Sequence, residues 1–194
     1  MNKIGLFVDY ANLLSSCRRI WKNFDFKKLI FYLEEKFNWK FEFKFIYFAY
    51  PEKSIRSYDV SWIHKFAYFL KKDLNFCIKK KPLKQIKIKN DKWNLILSKY
   101  WNSTIIEKWN LDIELTMDIM QTWKKLDSII LFSWDSDFMC LTKFLLLKRK
   151  KVHVFSTKWN ISNELKIHSS KYYDIKKLSK DLFIWKFKQK NKKS

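Results

Sequence analysis

Four short apolar runs limit what this chain can fold into: IGLFVD (4–9), the end of KFEFKFIYFAY (40–50), SIILFS (128–133) and KVHVFS (151–156). Runs of this length with little polar alternation are strands covered on both faces. Between them lie segments of helical period. FDFKKLIFYLEEKF (24–37) places Phe26, Leu29, Ile30, Leu33 and Phe37 on one stripe, and further helices are expected over 12–20, 55–73, 111–123, 137–148 and 160–170. Strands alternating with helices predict an α/β fold with a mainly parallel sheet sandwiched by helices. FCIKKKPLKQIKIK (76–89) reads as a strand broken by Pro82 and then a basic alternating segment. Residues 90–108 read as an irregular or hairpin insertion. The length of 194 residues suits one domain, expected over 1–181, with a basic tail at 182–194.

In open α/β sheets, ligands bind outside the carboxyl ends of the strands. Acids gather at that edge. Asp9 ends the first strand, Asp135 and Asp137 follow the strand at 128–133, and Asp112 opens the helix after the insertion. Clustered carboxylates repel and raise one another's pKa unless a cation neutralises them. Hard oxygen donors suit Mg²⁺ or Mn²⁺, and such an ion activates water and stabilises displacement at phosphorus. The same residues also read as helix N-caps at Asp9 and Asp112 and a solvated turn at Asp135 and Asp137.

The surroundings of those acids are basic. Lys and Arg total 41 against 19 Asp and Glu, a net charge of +22, and a domain this basic meets a polyanion, most often nucleic acid. Arg18, Arg19, Lys79, Lys80, Lys81 and Lys84 lie in segments that can flank the acidic edge and contact RNA phosphates; solvated surface lysines are the plain alternative. No apolar stretch approaches the roughly 20 residues of a membrane span, and the N-terminus lacks a cleavage-site pattern, so a cytoplasmic protein is expected. Cys17, Cys77 and Cys140 and the three histidines are scattered, which disfavours a zinc site and fits reduced thiols.

FVDYANLL (7–14), KWNLDIELTMDIM (108–120), SIILFSWDSDFMCL (128–141) and KVHVFSTKWNISNEL (151–165), in this order, resemble the NYN domain, a PIN-like nuclease family, from about Ile4 to Asp174. The resemblance implies a PIN-like Rossmannoid three-layer fold and a metal-dependent endoribonuclease acting on RNA, with single-stranded RNA the expected partner. By position, Asp9, Asp112, Asp135 and Asp137 match the family's acids, Asn12 its asparagine and Ser133 the serine beside the paired acids. Asp118 falls on a further acidic position. Six residues past Asp112, about 240° round an ideal helix, it faces another way. Glu114 is expected to be a solvated helix residue. Two other functions are consistent with the same residues: a non-catalytic RNA-binding module, and a related metal-dependent DNA nuclease or phosphatase.

The resemblance breaks at glycine. Trp109, Trp134 and Trp159 stand where family members usually carry glycine. The chain has one glycine and ten tryptophans, whereas ordinary usage of about 7% gives roughly 14 glycines. Both anomalies are explained if UGA codons that specify glycine, as in some bacterial lineages, were translated as tryptophan. The alternative is real tryptophans, most of them in the core, with Trp134 stacking on a base. As written, Trp134 is expected to crowd the metal turn and impair catalysis.

Overall fold

The computed structural model describes residues 3–38, 40–51, 61–87, 105–108 and 111–184; for 84–86 and 105–108 the backbone alone is described. In chain order its strands are β1 (Ile4–Asp9), β2 (Asn23–Phe24), β3 (Phe41–Tyr50), β4 (Cys77–Pro82), β5 (Lys84–Lys87), β6 (Ile105–Lys108), β7 (Ser128–Phe132), β8 (Lys151–Ser156), β9 (Lys171–Asp174) and β10 (Phe183–Ile184). The helices are α1 (Tyr10–Arg19), α2 (Phe26–Phe37), α3 (Ser61–Leu74), α4 (Asp112–Thr122), α5 (Met139–Leu147) and α6 (Asn163–Ile167).

Six strands form one sheet in the order β4-β3-β1-β7-β8-β9, and every neighbouring pair in it is parallel. The central strands are buried throughout: all six residues of β1 and all five of β7. This is why their sequences read as continuous apolar runs rather than alternating ones. Side-chain parity divides them between two cores. Ile4, Leu6 and Val8 face a core completed by α1, α2 and α3. Phe7 faces the other, completed by α4, α5 and α6. The fold is therefore three-layered, as expected.

From β1 the chain moves outward to β3 and β4 with its helices on one face. It then returns to β7 on the other side of β1 and moves out through β8 and β9 with its helices on the opposite face. The order reverses between β1 and β7, which makes the crevice above their carboxyl ends the topological switch point.

The single glycine has a packing role. Gly5 lies in β1, and a Cβ there would stand 2.6 Å from Leu126 Cδ1 and 2.7 Å from the Phe7 ring. Any side chain must displace both.

Several boundaries differ from expectation. α1 starts at Tyr10 rather than 12 because the Asp9 carboxylate caps it. α2 starts at Phe26 because Asp25 caps it and Asn23–Phe24 pairs with Phe183–Ile184. The final helix covers only Asn163–Ile167 of the expected 160–170; Ser162 caps its start. β9 was not expected at all. Ile105–Lys108 pairs antiparallel with Lys84–Lys87 as a separate ribbon; the rest of the expected insertion, residues 90–104, lies outside the described residues, as do 185–194 of the tail.

Candidate metal centre

Each acid reaches the switch point by a local structural device. Asp9 follows Phe7 by two residues and so faces α4. Its Oδ1 accepts the Asn12 backbone N–H at 3.1 Å, and its Oδ2 accepts Asn12 Nδ2 at 2.5 Å. The Asn12 amide also donates to Ser133 Oγ at 2.9 Å, which ties the end of β1 to the end of β7. Ser133 Oγ then accepts the Asp135 backbone N–H at 3.2 Å. Asp135 in turn caps the short 3₁₀ turn Ser136–Phe138 through the Asp137 N–H at 3.0 Å. Asp135 thus both caps a turn and stands at the acidic edge, while Asp9 caps α1.

Asp112 opens α4 immediately after Leu111. One carboxylate oxygen from each of Asp112, Asp135 and Asp137 lies within 4.8 Å of the others. Asp112 and Asp135 are half-buried and Asp137 is exposed, so the group opens to solvent on one side. Burial, reinforced by Asp135, Asp137 and Glu114, pushes the Asp112 carboxyl up to about 6. Asp9 is more deeply placed. Burial raises it to about 7, with Asp112 and Asp135 adding to the rise and the Asn12 N–H opposing it. Asp9 is not one of the three acids whose oxygens converge; both its oxygens are engaged by Asn12.

The donor set fits a hard divalent cation. Three carboxylates offer oxygen ligands only, at a spacing one ion can bridge, and their mutual repulsion is what a cation relieves. Of the cysteines, Cys77 and Cys140 are exposed and Cys17 is buried.

Asp118 lies elsewhere. It is buried on α4, with Oδ2 accepting the Tyr47 hydroxyl at 3.0 Å and Oδ1 paired with Lys79 Nζ at 3.2 Å. Glu114 is not simply solvated: it holds Lys81 Nζ at 2.7 Å, and this contact keeps its carboxyl below the usual range. Lys79 and Lys81 share the cluster's face of β4, whereas Lys80 alternates to the other face and is exposed. Arg18 and Arg19 are exposed at the end of α1, and Arg19 lines a cleft of about 300 Å³ with Trp21, Lys22, Trp159 and Lys176. The side chain of Lys84 lies outside the described residues.

Residues 3–176 match the family model for the NYN domain. The chain belongs to the NYN domain family. This is a PIN-like nuclease family, and the acidic cluster lies within the matched NYN region. The low amplitude and bright protein LabA of Synechococcus elongatus is 38% identical over 66 residues, which are 34% of this chain and 36% of LabA. The chain therefore matches about a third of that relative's length. A crystal structure of a Vibrio parahaemolyticus protein of unknown function superposes with a TM-score of 0.68, covering 94% of this chain and 96% of the other at 21% identity. That likeness supports the NYN domain's α/β architecture.

The tryptophans can be placed on this NYN frame. Trp134 sits between Ser133 and Asp135, half-buried, and its indole N–H is buried without an acceptor. Trp159 is exposed, and Trp109 lies outside the described residues. Of the described tryptophans, Trp21, Trp62 and Trp159 are exposed, Trp134 is half-buried, and Trp123 is half-buried and packs against the second core edge-on to Phe144. Sequence reasoning missed Tyr47 and the pairings of Lys79 and Lys81. Their signal was the alternation of Lys79 and Lys81 on one strand face opposite the i, i+4 spacing of Glu114 and Asp118 on one helix face.

Proposed function

We propose that this protein is a metal-dependent endoribonuclease whose cation is held by Asp112, Asp135 and Asp137. The observation that carries this reading is the convergence of their three oxygens within 4.8 Å at the switch point. When bound, Mg²⁺ or Mn²⁺ supplies Lewis acidity toward phosphate and a water of lowered pKa. The protein's own residues do the positioning. The Asn12 amide fixes both Asp9 and Ser133, and Ser133 fixes the backbone of Asp135, so the two strand ends present their acids in one orientation. Asp9, deeply buried beside the cluster, caps α1 and is held by Asn12, which fixes the end of β1.

RNA is the substrate class that the charge of +22 supports. Exposed Arg18, Arg19 and Lys80, with Lys79, Lys81 and Lys84 on or beside the edge strand, supply phosphate contacts. Among the described residues no helix is long and apolar enough to cross a membrane; the cytoplasm is the proposed compartment. The test is cleavage of single-stranded RNA by the wild type and by Asp135→Asn, each in Mn²⁺ and in EDTA. Cleavage that needs both Mn²⁺ and Asp135 is expected. RNA binding with no metal-dependent cleavage would overturn the enzyme reading in favour of a binding module, and cleavage of DNA alone would overturn the choice of RNA.

A further inference from the structure

Beside the acidic cluster, β4 and α4 are joined by two ion pairs: Lys81 with Glu114 at 2.7 Å and Lys79 with Asp118 at 3.2 Å. The spacing on each element is regular. Lys79 and Lys81 are two apart on an edge strand and project to one face; Glu114 and Asp118 are four apart and lie on one helix stripe. The register places these rungs relative to the metal centre. Asp9 pairs with Tyr47, and Tyr47 pairs with Lys79, so Lys79 stands two strand spacings, about 10 Å, from Asp9 on the same face. Lys81 lies opposite Ala49, one step of that face beyond the end of β1. Glu114, which holds it, is two residues from Asp112.

The two pairs differ in burial. The Asp118 side chain is 10% exposed with both oxygens engaged, by Tyr47 and Lys79, whereas Glu114 is 36% exposed; the Lys79 and Lys81 side chains are 41% and 53% exposed. An ammonium group has three donors; one contact to a carboxylate leaves two for other acceptors. Asp118, enclosed in this way, does not serve as a metal ligand, and Lys79, anchored to it, does not sample the freedom of a surface lysine; Glu114 directs Lys81 from a more open position.

We infer that Lys79 and Lys81 form a fixed two-cation rail that receives backbone phosphates of the RNA strand on the β4 side of the metal centre, with Asp118 and Glu114 as positioning residues that hold it. The inference rests on the ribonuclease reading for the identity of the strand, but binding tests it independently of cleavage. The experiment measures binding of a labelled single-stranded RNA in EDTA across a salt series, beside thermal midpoints, for four proteins: wild type, Lys81→Gln, the exchange Lys81→Glu with Glu114→Lys, and Lys79→Arg.

The rail predicts that Lys81→Gln weakens binding and lowers the slope of log affinity against log salt by about 0.7, the value for one phosphate contact on a single strand. The exchange preserves an ion pair and hence the thermal midpoint, yet moves the cation off the rail, so the same loss of affinity and slope is expected. Lys79→Arg, which keeps both charge and pair, retains the wild-type slope. If the pair is only a brace for the edge strand, the exchange restores affinity and slope together with stability, and the inference fails. It fails equally if Lys81→Gln leaves both unchanged. Wild-type RNA binding with the expected slopes but no metal-dependent cleavage would overturn the ribonuclease reading and leave the rail intact.

Discussion

The start and the middle of α4 use the same functional group in opposite ways. At its start Asp112 meets Asp135 and Asp137, three oxygens within 4.8 Å, and its carboxyl rises to about 6. Six residues later Asp118 is more deeply buried, yet Tyr47 and Lys79 satisfy it. Depth alone therefore does not mark a reactive carboxylate; the company it keeps does. Acids assembled against one another call for a cation, whereas an acid closed in by a hydroxyl and an ammonium group is already structurally complete.

The largest test of this contrast is stability without metal. Asp118→Ala strips a buried hydroxyl of its acceptor and releases Lys79, and a loss of about 1–3 kcal/mol is expected from chemical denaturation. Asp135→Ala in EDTA is expected to cost less, because removing one of three mutually repelling carboxylates offsets the loss of its cap. Thermal midpoints with Mn²⁺ reverse the comparison: the wild type and Asp118→Ala gain from the ion, and Asp135→Ala does not. Equal losses in EDTA for the two variants would abolish the distinction between the clustered acids and Asp118.

A second way to sharpen it is pH. The folded Asp9 carboxyl titrates at about 7 against 3.8 for a free one. Between these values the folded protein holds a proton that the unfolded chain has released. Its contribution to stability is therefore largest at acid pH and declines as pH rises through that window. Asp112, raised to about 6, acts in the same direction. Buried His153, lowered to about 4, acts oppositely below about 6.5. Asp9→Asn isolates the first effect. In EDTA its stability relative to wild type should climb from pH 4 to 7, and a flat difference in denaturation midpoints would contradict the burial of an unneutralised acid.

Legibility in the sequence followed the range of the interactions. β1, β7 and β8 were readable because strands covered on both faces are largely apolar, and D-x-x-N was readable because the Asp9 cap accepts the N–H three residues on. β9 was not: KYYD at the sheet edge is only partly covered and carries charge at both ends. The acids at the sheet edge were placed by topology, since the ends of β1 and β7 are neighbours in any sheet of this order. The partners of Asp118 were not accessible in that way. They depend on Tyr47 and Lys79 sharing one register row across β3 and β4, and a one-residue slip would have turned both away. The same limit explains Glu114, whose helix position looked solvated until β4 brought Lys81 against it.

The smallest expected effect concerns tryptophan. At the end of α1, the Trp21 N–H bonds the Arg18 carbonyl at 3.2 Å and the Lys22 N–H bonds the Cys17 carbonyl at 3.1 Å. This is the paired closure of a Schellman motif, whose left-handed position takes glycine. Trp21 occupies it with φ 57° and an exposed indole. Asn38 and Asn75, the residue type best suited after glycine, take two of the other left-handed positions. A bulky residue there costs about 1 kcal/mol, so Trp21→Gly should stabilise by about that amount. Unlike Trp109, Trp134 and Trp159, this site was not singled out by family resemblance; its backbone alone asks for glycine. Peptide masses of the protein from its own organism decide the matter. Glycine at 21, 134 and 159 would establish the codon reading, and it would also remove the indole whose N–H is buried without an acceptor between Ser133 and Asp135. Tryptophan masses at all three would refute it and leave the left-handed strain at position 21 as a property of the native chain.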